Sequence, residues 1–281
     1  MAEPVVIVEQ PLRNDEAAVA RRNRRRGLAI AAAPGVAVGL VVALVCAALV
    51  APVVAVAGVV VGIVIWAVTW WQATPLLVRA LHAEPADEDD YARVFNQVEG
   101  LCASMGLVLP TVCVVDDDTR NALVLGRRRR VAVLVITAGL AEALDPVQLE
   151  GVLAHELAHV KCAEVVPATM AAALALVLVS VMPGTANLVH ALAGRGREFR
   201  TDQQAVSVTR YPPGLRQALA LMVEGPVSRS PSPLAGRGVA HATRWLWTVS
   251  LPDGAGGRRS QGGVAGELDA AAVRISALDE W

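Results

Sequence analysis

Hydropathy divides the chain before any motif is considered. From Gly27 to Val78 runs a stretch of 52 positions with no charged residue. A spanning helix needs about 20 apolar residues, so two fit, one near 28–49 and one near 53–71, with a break at Ala51-Pro52. Trp66, Trp70 and Trp71 end the second as interfacial aromatics do. Beyond the acidic connector Glu84 to Asp90 the pattern takes on globular periods. Tyr91, Val94, Phe95, Val98 and Leu101 recur at helical spacing, and Thr111 to Val115 predicts a strand stopped by Asp116-Asp117-Asp118. Asn121 to Leu125 and Val131 to Thr137 are β-rich runs around Gly126 and Arg127 to Arg130, which predicts a hairpin.

Asp145-Pro146 is a helix N-cap and first-turn pair, followed by Leu149, Val152, Leu153, Leu157 and Val160 on a broad apolar face. Val165 to Gly194 carries no charge except on His190 and contains Pro167, Pro183 and Gly184. Hydropathy alone reads a third span there. Another helix opens at Glu198 and runs toward Thr209. Residues 225–238 and 252–266, rich in Gly, Pro, Ser and Arg, read as mobile loops around an apolar run, His241 to Val249. Trp245 and Trp247 within that run are expected in core or membrane-surface packing.

Composition and charge place this pattern at a membrane. The hydrophobic share is 54% and the mean hydropathy +0.48, above ordinary soluble usage. Arg21, Arg22, Arg24, Arg25 and Arg26 precede the first span, which the positive-inside rule holds in the cytoplasm. Two crossings return the rest of the chain to that side. A secretory or twin-arginine leader, cleaved near Ala55-Val56-Ala57-Gly58, is the rival, but a second long apolar segment does not suit it. The chain thus divides into a basic tail (1–26), a transmembrane hairpin (27–72) and a third unit (73–281). The expectation is a multi-pass protein of the plasma membrane, in contact with the lipid bilayer, with its third unit facing the cytoplasm. The scattered Cys46, Cys102, Cys113 and Cys162 suit small core positions in a reducing compartment. A net charge of −1 argues against a nucleic-acid partner, and Arg127 to Arg130 reads as a solvated tip or a headgroup contact. Oligomeric state is open.

Within the predicted helix from Pro146 stands His155-Glu156-Leu157-Ala158-His159. This is the H-E-x-x-H signature of zinc peptidases. Positions i and i+4 share a helix face, so both imidazoles reach one tetrahedral ion. Glu156 is offset by about 100° and reaches a water on that ion as general base. A third ligand is needed with the fourth position open. The candidates are Glu164, Glu198, His82, His190 and His241. Glu164, nine residues after His155 on the same helix, has rotated away and risen about 13 Å, and suits a supporting role. Glu198 is the best choice, since Asp202 one turn later is placed to accept from a ligating imidazole N–H. A region crossing the bilayer once between His159 and Glu198 would separate them, so 165–194 is expected to make no net crossing.

The chain resembles the HtpX-type membrane zinc endopeptidases, gluzincins related to the prenyl-protein CAAX protease. The resemblance rests on Leu109-Pro110-Thr111-Val112, Asn121 to Arg127, Thr137-Ala138-Gly139-Leu140, His155 to Val160, and Glu198-Phe199-Arg200-Thr201-Asp202. It implies one Zn²⁺ held by His155, His159 and Glu198, with Glu156 as base. It also implies that the strand with Asn121, Ala122, Leu123 and Gly126 borders a cleft for polypeptide substrates, including misfolded membrane proteins. The expected fold is mainly α, with a β-hairpin or three-stranded sheet beside the metal helix. Two departures stand out. Relatives carry a His-Pro pair shortly before a C-terminal arginine, where this chain has Leu268-Asp269 leading to Arg274, and the spacer before Glu198 is compact. Arg274 and His241 are the candidates for stabilising a tetrahedral intermediate. A non-catalytic membrane scaffold with a structural zinc, or a zinc enzyme acting on a small amide, are the alternative readings.

Overall fold

The computed structural model describes residues 14–49, 56–181, 197–226, 234, 237–249 and 264–281. The expected break at Ala51-Pro52, Ala55, the 182–196 part of the uncharged segment with Pro183, Gly184 and His190, and loop residues 227–233 and 250–263 lie outside the described residues. Helix α1 (Asn14–Leu49) begins well before the apolar stretch. Its arginines are therefore helical, because Ala and Arg are good helix formers and Asp15 and Glu16 complement the macrodipole at its start. Tertiary contacts hold this polar end: Ala20 is buried, Asn23 Nδ2 donates to the Cys162 carbonyl at 3.0 Å, and Glu16 pairs with Lys161 at 3.1 Å. Helix α2 (Val56–Ala80) likewise runs past Trp70 and Trp71 and through Pro75. Hydropathy marks the edge of an apolar slab, whereas the helix continues because Ala73, Thr74 and Leu77 are buried against the rest of the chain.

Both helices are long and apolar enough to cross a membrane. Val36, Leu40, Val41, Leu44, Val59, Val60, Ile63 and Val64 lie exposed along them, a sheath that water would disfavour. The two meet through small residues: Gly35 and Gly39 on the buried stripe of α1 lie against Gly58 and Gly62 of α2, while Gly27 on the same stripe meets Val166. A Cβ at Gly39 would stand 2.7 Å from the Gly58 carbonyl oxygen and 3.1 Å from Gly62 Cα. Close backbone approach of this kind drives association where lipid removes the hydrophobic term. Gly39→Ile is therefore expected to lower the melting temperature in detergent by several degrees. Gly100→Ala, with no atom within 4 Å of the added carbon, should leave it unchanged or raise it.

The remaining elements are β1 (Glu84–Pro85), α3 (Ala92–Met105), β2 (Thr111–Val115), β3 (Ala122–Arg128), β4 (Val131–Thr137), α4 (Ala138–Ala143) and α5 (Pro146–Lys161). They continue with α6 (Val165–Val181), α7 (Arg197–Thr209), α8 (Pro212–Val223), α9 (Arg237–Thr243), a 3₁₀ turn (Arg244–Leu246) and α10 (Val264–Asp279). The strands form one sheet in the order β1-β2-β4-β3. β3 and β4 pair antiparallel as the predicted hairpin, with Leu123 opposite Val135, and β2 runs parallel to β4. The fourth strand, β1, is only two exposed residues and has no hydropathic signature. Two stretches read as loops hold helix: α9 begins at Arg237, and α10 at Val264.

Helix α5 is buried from Gly151 to Val160, packed among α3, β3, α7 and α8. It needs no polar face. Helix α6 leaves it at 91° and packs against α1, α2, β3 and α9. The corner passes through Ala163 at φ 53, a left-handed conformation that few non-glycine residues adopt. Among the described residues of α6, Val165, Val166 and Met170 are buried inside the protein. Cys102, Cys113 and Cys162 are free and buried, and burial pushes the Cys102 thiol up to about 12.

Candidate metal centre

The site begins with the cap of α5. Asp145 Oδ1 accepts from the Val147 and Gln148 amides, both at 2.9 Å, and the Asp145 amide donates to Gln148 Oε1 at 3.0 Å. Pro146 at the first helical position completes this start. Two turns on, His155 and His159 share one face with ring centroids 4.9 Å apart. Helix α7 brings Glu198 to them: its Oε2 lies 3.2 Å from His155 Nε2 and 3.7 Å from His159 Nε2. One ligand atom from each residue lies within 4.8 Å of the other two. Ligand atoms around tetrahedral zinc stand about 3.4 Å apart for metal–ligand bonds near 2.1 Å. The donor set therefore fits such an ion. His82 sits exposed in the turn after α2, and His190 lies outside the described residues. His241 stands on α9, and its side chain is outside what is described.

Carboxylates fix both rings. Asp202 Oδ1 is 2.8 Å from His155 Nδ1, and Glu164 Oε2 is 2.9 Å from His159 Nδ1. With Nδ1 engaged, each Nε2 turns toward Glu198. Glu164 does not continue the metal helix as the sequence suggested. The helix ends at Lys161, and the turn through Ala163 folds Glu164 back beside His159, where Arg200 also pairs with it. Arg274, from α10, donates through Nε and Nη2 to the two oxygens of Asp202, each at 2.7 Å. Its Nη1 donates to the Thr248 carbonyl at 2.7 Å and lies 3.8 Å from Glu198 Oε2. Burial by itself would raise the Asp202 carboxyl, but His155 and Arg274 outweigh it and hold that group below the usual carboxylate range. Glu156, Glu164, Glu198 and Asp202 face two guanidiniums, Arg200 and Arg274. The excess of negative charge suits a divalent cation.

Glu156 is 1% exposed. Its Oε1 accepts from the Thr248 hydroxyl at 2.6 Å, and its Oε2 has no hydrogen-bond partner among the described residues. Strand β3 passes beside it as the edge of the sheet. That edge is partly covered by the chain itself: the Thr248 amide donates to the Ala122 carbonyl at 2.9 Å. Asn121 brackets Val249, its Nδ2 donating to the Val249 carbonyl and its Oδ1 accepting the Val249 amide at 3.2 Å. Leu123 is buried, and the Gly126 amide donates to Thr169 Oγ1 at 2.9 Å. Trp245 and Trp247, flanking this segment, are buried. At the far end of β3, the Arg127 guanidinium lies 3.9 Å above the Trp71 ring, joining the hairpin to α2. Thr248 has no signal in sequence, because it reaches the site from a distant segment, and Arg200 lies in the Glu198 to Asp202 stretch without its pairing to Glu164 being foreseen.

Residues 88–246 match Peptidase family M48. Proteins named "Protease HtpX homolog" are similar to this chain. That of Acidiphilium cryptum is 32% identical, covering 53% of this chain and 62% of that protein. That of Salinibacter ruber is 29% identical, covering 54% and 63%. In Gemmatimonas aurantiaca the figures are 26%, 63% and 78%. The chain thus spans less than two thirds of the length of the first two. No solved structure matches it. The family match covers more than half of the chain and takes in the metal-site helix and Glu198, and the chain belongs to peptidase family M48.

Proposed function

We propose that this chain is a membrane-anchored, zinc-dependent endopeptidase. The observation that carries this reading is the site's composition: three protein ligand atoms converge, and next to them in the helix Glu156 holds a buried carboxylate oxygen that has no hydrogen-bond partner among the described residues. Structural zinc sites close with four protein ligands, whereas catalytic ones keep a position open. A buried carboxylate oxygen left without a partner is costly to a protein that only needs a stable fold. His155, His159 and Glu198 would hold the ion, while Asp202 and Glu164 orient the two rings. When bound, zinc supplies the Lewis acidity that polarises a peptide carbonyl and acidifies water. Glu156 takes the proton at Oε2 and returns it to the leaving amine. Arg274 Nη1, near Glu198, is the proposed partner for the developing negative charge, with His241 the second candidate.

The substrates are polypeptides, entering extended along β3 by main-chain hydrogen bonds. Misfolded membrane proteins are the proposed natural class, because the Arg127–Trp71 contact ties the strand beside the site to a candidate span. The proposed location is the plasma membrane, as a multi-pass protein with that side in the cytoplasm, a reading that the arginines near the start of α1 support. Metal analysis of the purified full chain tests the centre. About one zinc per chain is expected in the wild type and little in Glu198→Ala. Unfolded casein should be cleaved by the wild type, spared after chelation and cleaved again on adding Zn²⁺. Unchanged zinc content in Glu198→Ala would remove Glu198 from the ligand set, and chelator-resistant cleavage would remove the metal from the mechanism.

A further inference from the structure

We propose that Thr248 is the positioning residue of the general base, a role that rests on the endopeptidase reading above. The Thr248 hydroxyl lies 2.6 Å from Glu156 Oε1, between residues 3% and 1% exposed. Ala122 O is a second acceptor for the same hydroxyl, at 3.0 Å, but it already receives the Thr248 amide at 2.9 Å. The single hydroxyl proton therefore goes to the carboxylate, the nearer and charged acceptor. This anchors one oxygen of Glu156 and leaves the other, Oε2, without a hydrogen-bond partner among the described residues and so available to take the proton.

Thr248 is itself held from three sides. Its amide is tied to β3, its carbonyl accepts from Arg274 Nη1 at 2.7 Å, and the next residue is bracketed by Asn121. Branching at Cβ restricts its χ1, so the hydroxyl direction is set by a fixed backbone. A glutamate on a helix has three side-chain torsions and no such stiffness. Misplacement by about 1 Å of a reacting group costs on the order of 10²-fold in rate. The same guanidinium that holds Asp202 behind His155 thus also holds the carbonyl of the residue that aims Glu156. Metal ligand and general base are placed through one shared cation.

The test uses the zinc-loaded full chain in detergent. Thr248→Val keeps the shape and removes the donor, while Thr248→Ser keeps the donor. For Thr248→Val the expectation is a kcat lower by about 10- to 100-fold with KM within about threefold, at unchanged zinc stoichiometry. Thr248→Ser should recover most of the loss. Equal impairment of both variants, a change confined to KM, an unchanged kcat, or a kcat that rises because residues 247–249 obstruct the cleft would each overturn the proposal. A second measurement does not depend on turnover. In a double-mutant cycle read by melting temperature, Thr248→Val and Glu156→Ala should be non-additive, the double variant losing less than the two single losses combined. Additive losses would overturn the contact itself. Absence of cleavage in the wild type, with the cycle still coupled, would instead count against the endopeptidase reading alone.

Discussion

Glu156→Gln is expected to lower kcat for a polypeptide substrate by about 10³-fold while leaving one zinc per chain, since general-base catalysis contributes on the order of 10²–10⁴-fold. Glutamine preserves the shape of the side chain and can still accept from Thr248, so the contact at 2.6 Å survives. What disappears is basicity at the position of Oε2. The neighbouring His155 keeps its Asp202 partner at 2.8 Å and so keeps its ring orientation. The variant should melt within a few degrees of the wild type. Cleavage rates, zinc content and melting curves on the same preparations check this. Equal activity in both proteins would sink the metallopeptidase reading and favour a peptide-binding scaffold with a structural ion.

The largest effect on stability is expected from Arg274→Leu. The side chain is buried and makes three hydrogen bonds of 2.7 Å, two to Asp202 and one to the Thr248 carbonyl. Removing one partner of a buried charge pair leaves the other uncompensated, at a cost of about 3–5 kcal/mol. The loss should appear as a fall of about 5–8 degrees in melting temperature, softened in Arg274→Leu/Asp202→Asn, where neither charge remains. The pH dependence follows from Asp202. Its folded carboxyl is depressed, so its stabilisation is complete above the ordinary carboxylate range and is lost as pH falls through the lowered folded value. Without Arg274 the depression shrinks, and acid unfolding should begin at higher pH. Zinc affinity should fall about 10- to 100-fold as His155 loses its fixed partner. A melting temperature within two degrees of wild type would show that α10 is held by other contacts.

Much of this architecture is local in origin and therefore visible along the chain. The capping box at Asp145 and the helical spacing of His155 and His159 follow from interactions between residues a few positions apart, and strand Thr111–Val115 shows in its run of β-branched residues. The two apolar helices follow from composition, although their ends do not. Hydropathy stops at Gly27, whereas α1 reaches back to Asn14 because Asn23 and Glu16 find partners at the C-terminal end of the metal helix. Glu164 shows the same limit. Its approach to His159 depends on one left-handed residue, Ala163, and no periodicity predicts that corner.

By itself the sequence determined that two imidazoles and a carboxylate share one buried helix, that two apolar helices precede it, and that Glu198 and Asp202 lie one turn apart further on. Only the tertiary structure decided which groups meet. It brings Glu198 to 3.2 Å from His155, sets Arg274 behind Asp202, and lays Thr248 on Glu156 across 92 positions of chain. The reason is range. Helix spacing and capping are settled within a turn or two, whereas contacts between distant segments depend on how α5, α7, α10 and the edge strand pack, and that packing leaves no periodic trace in any one of them.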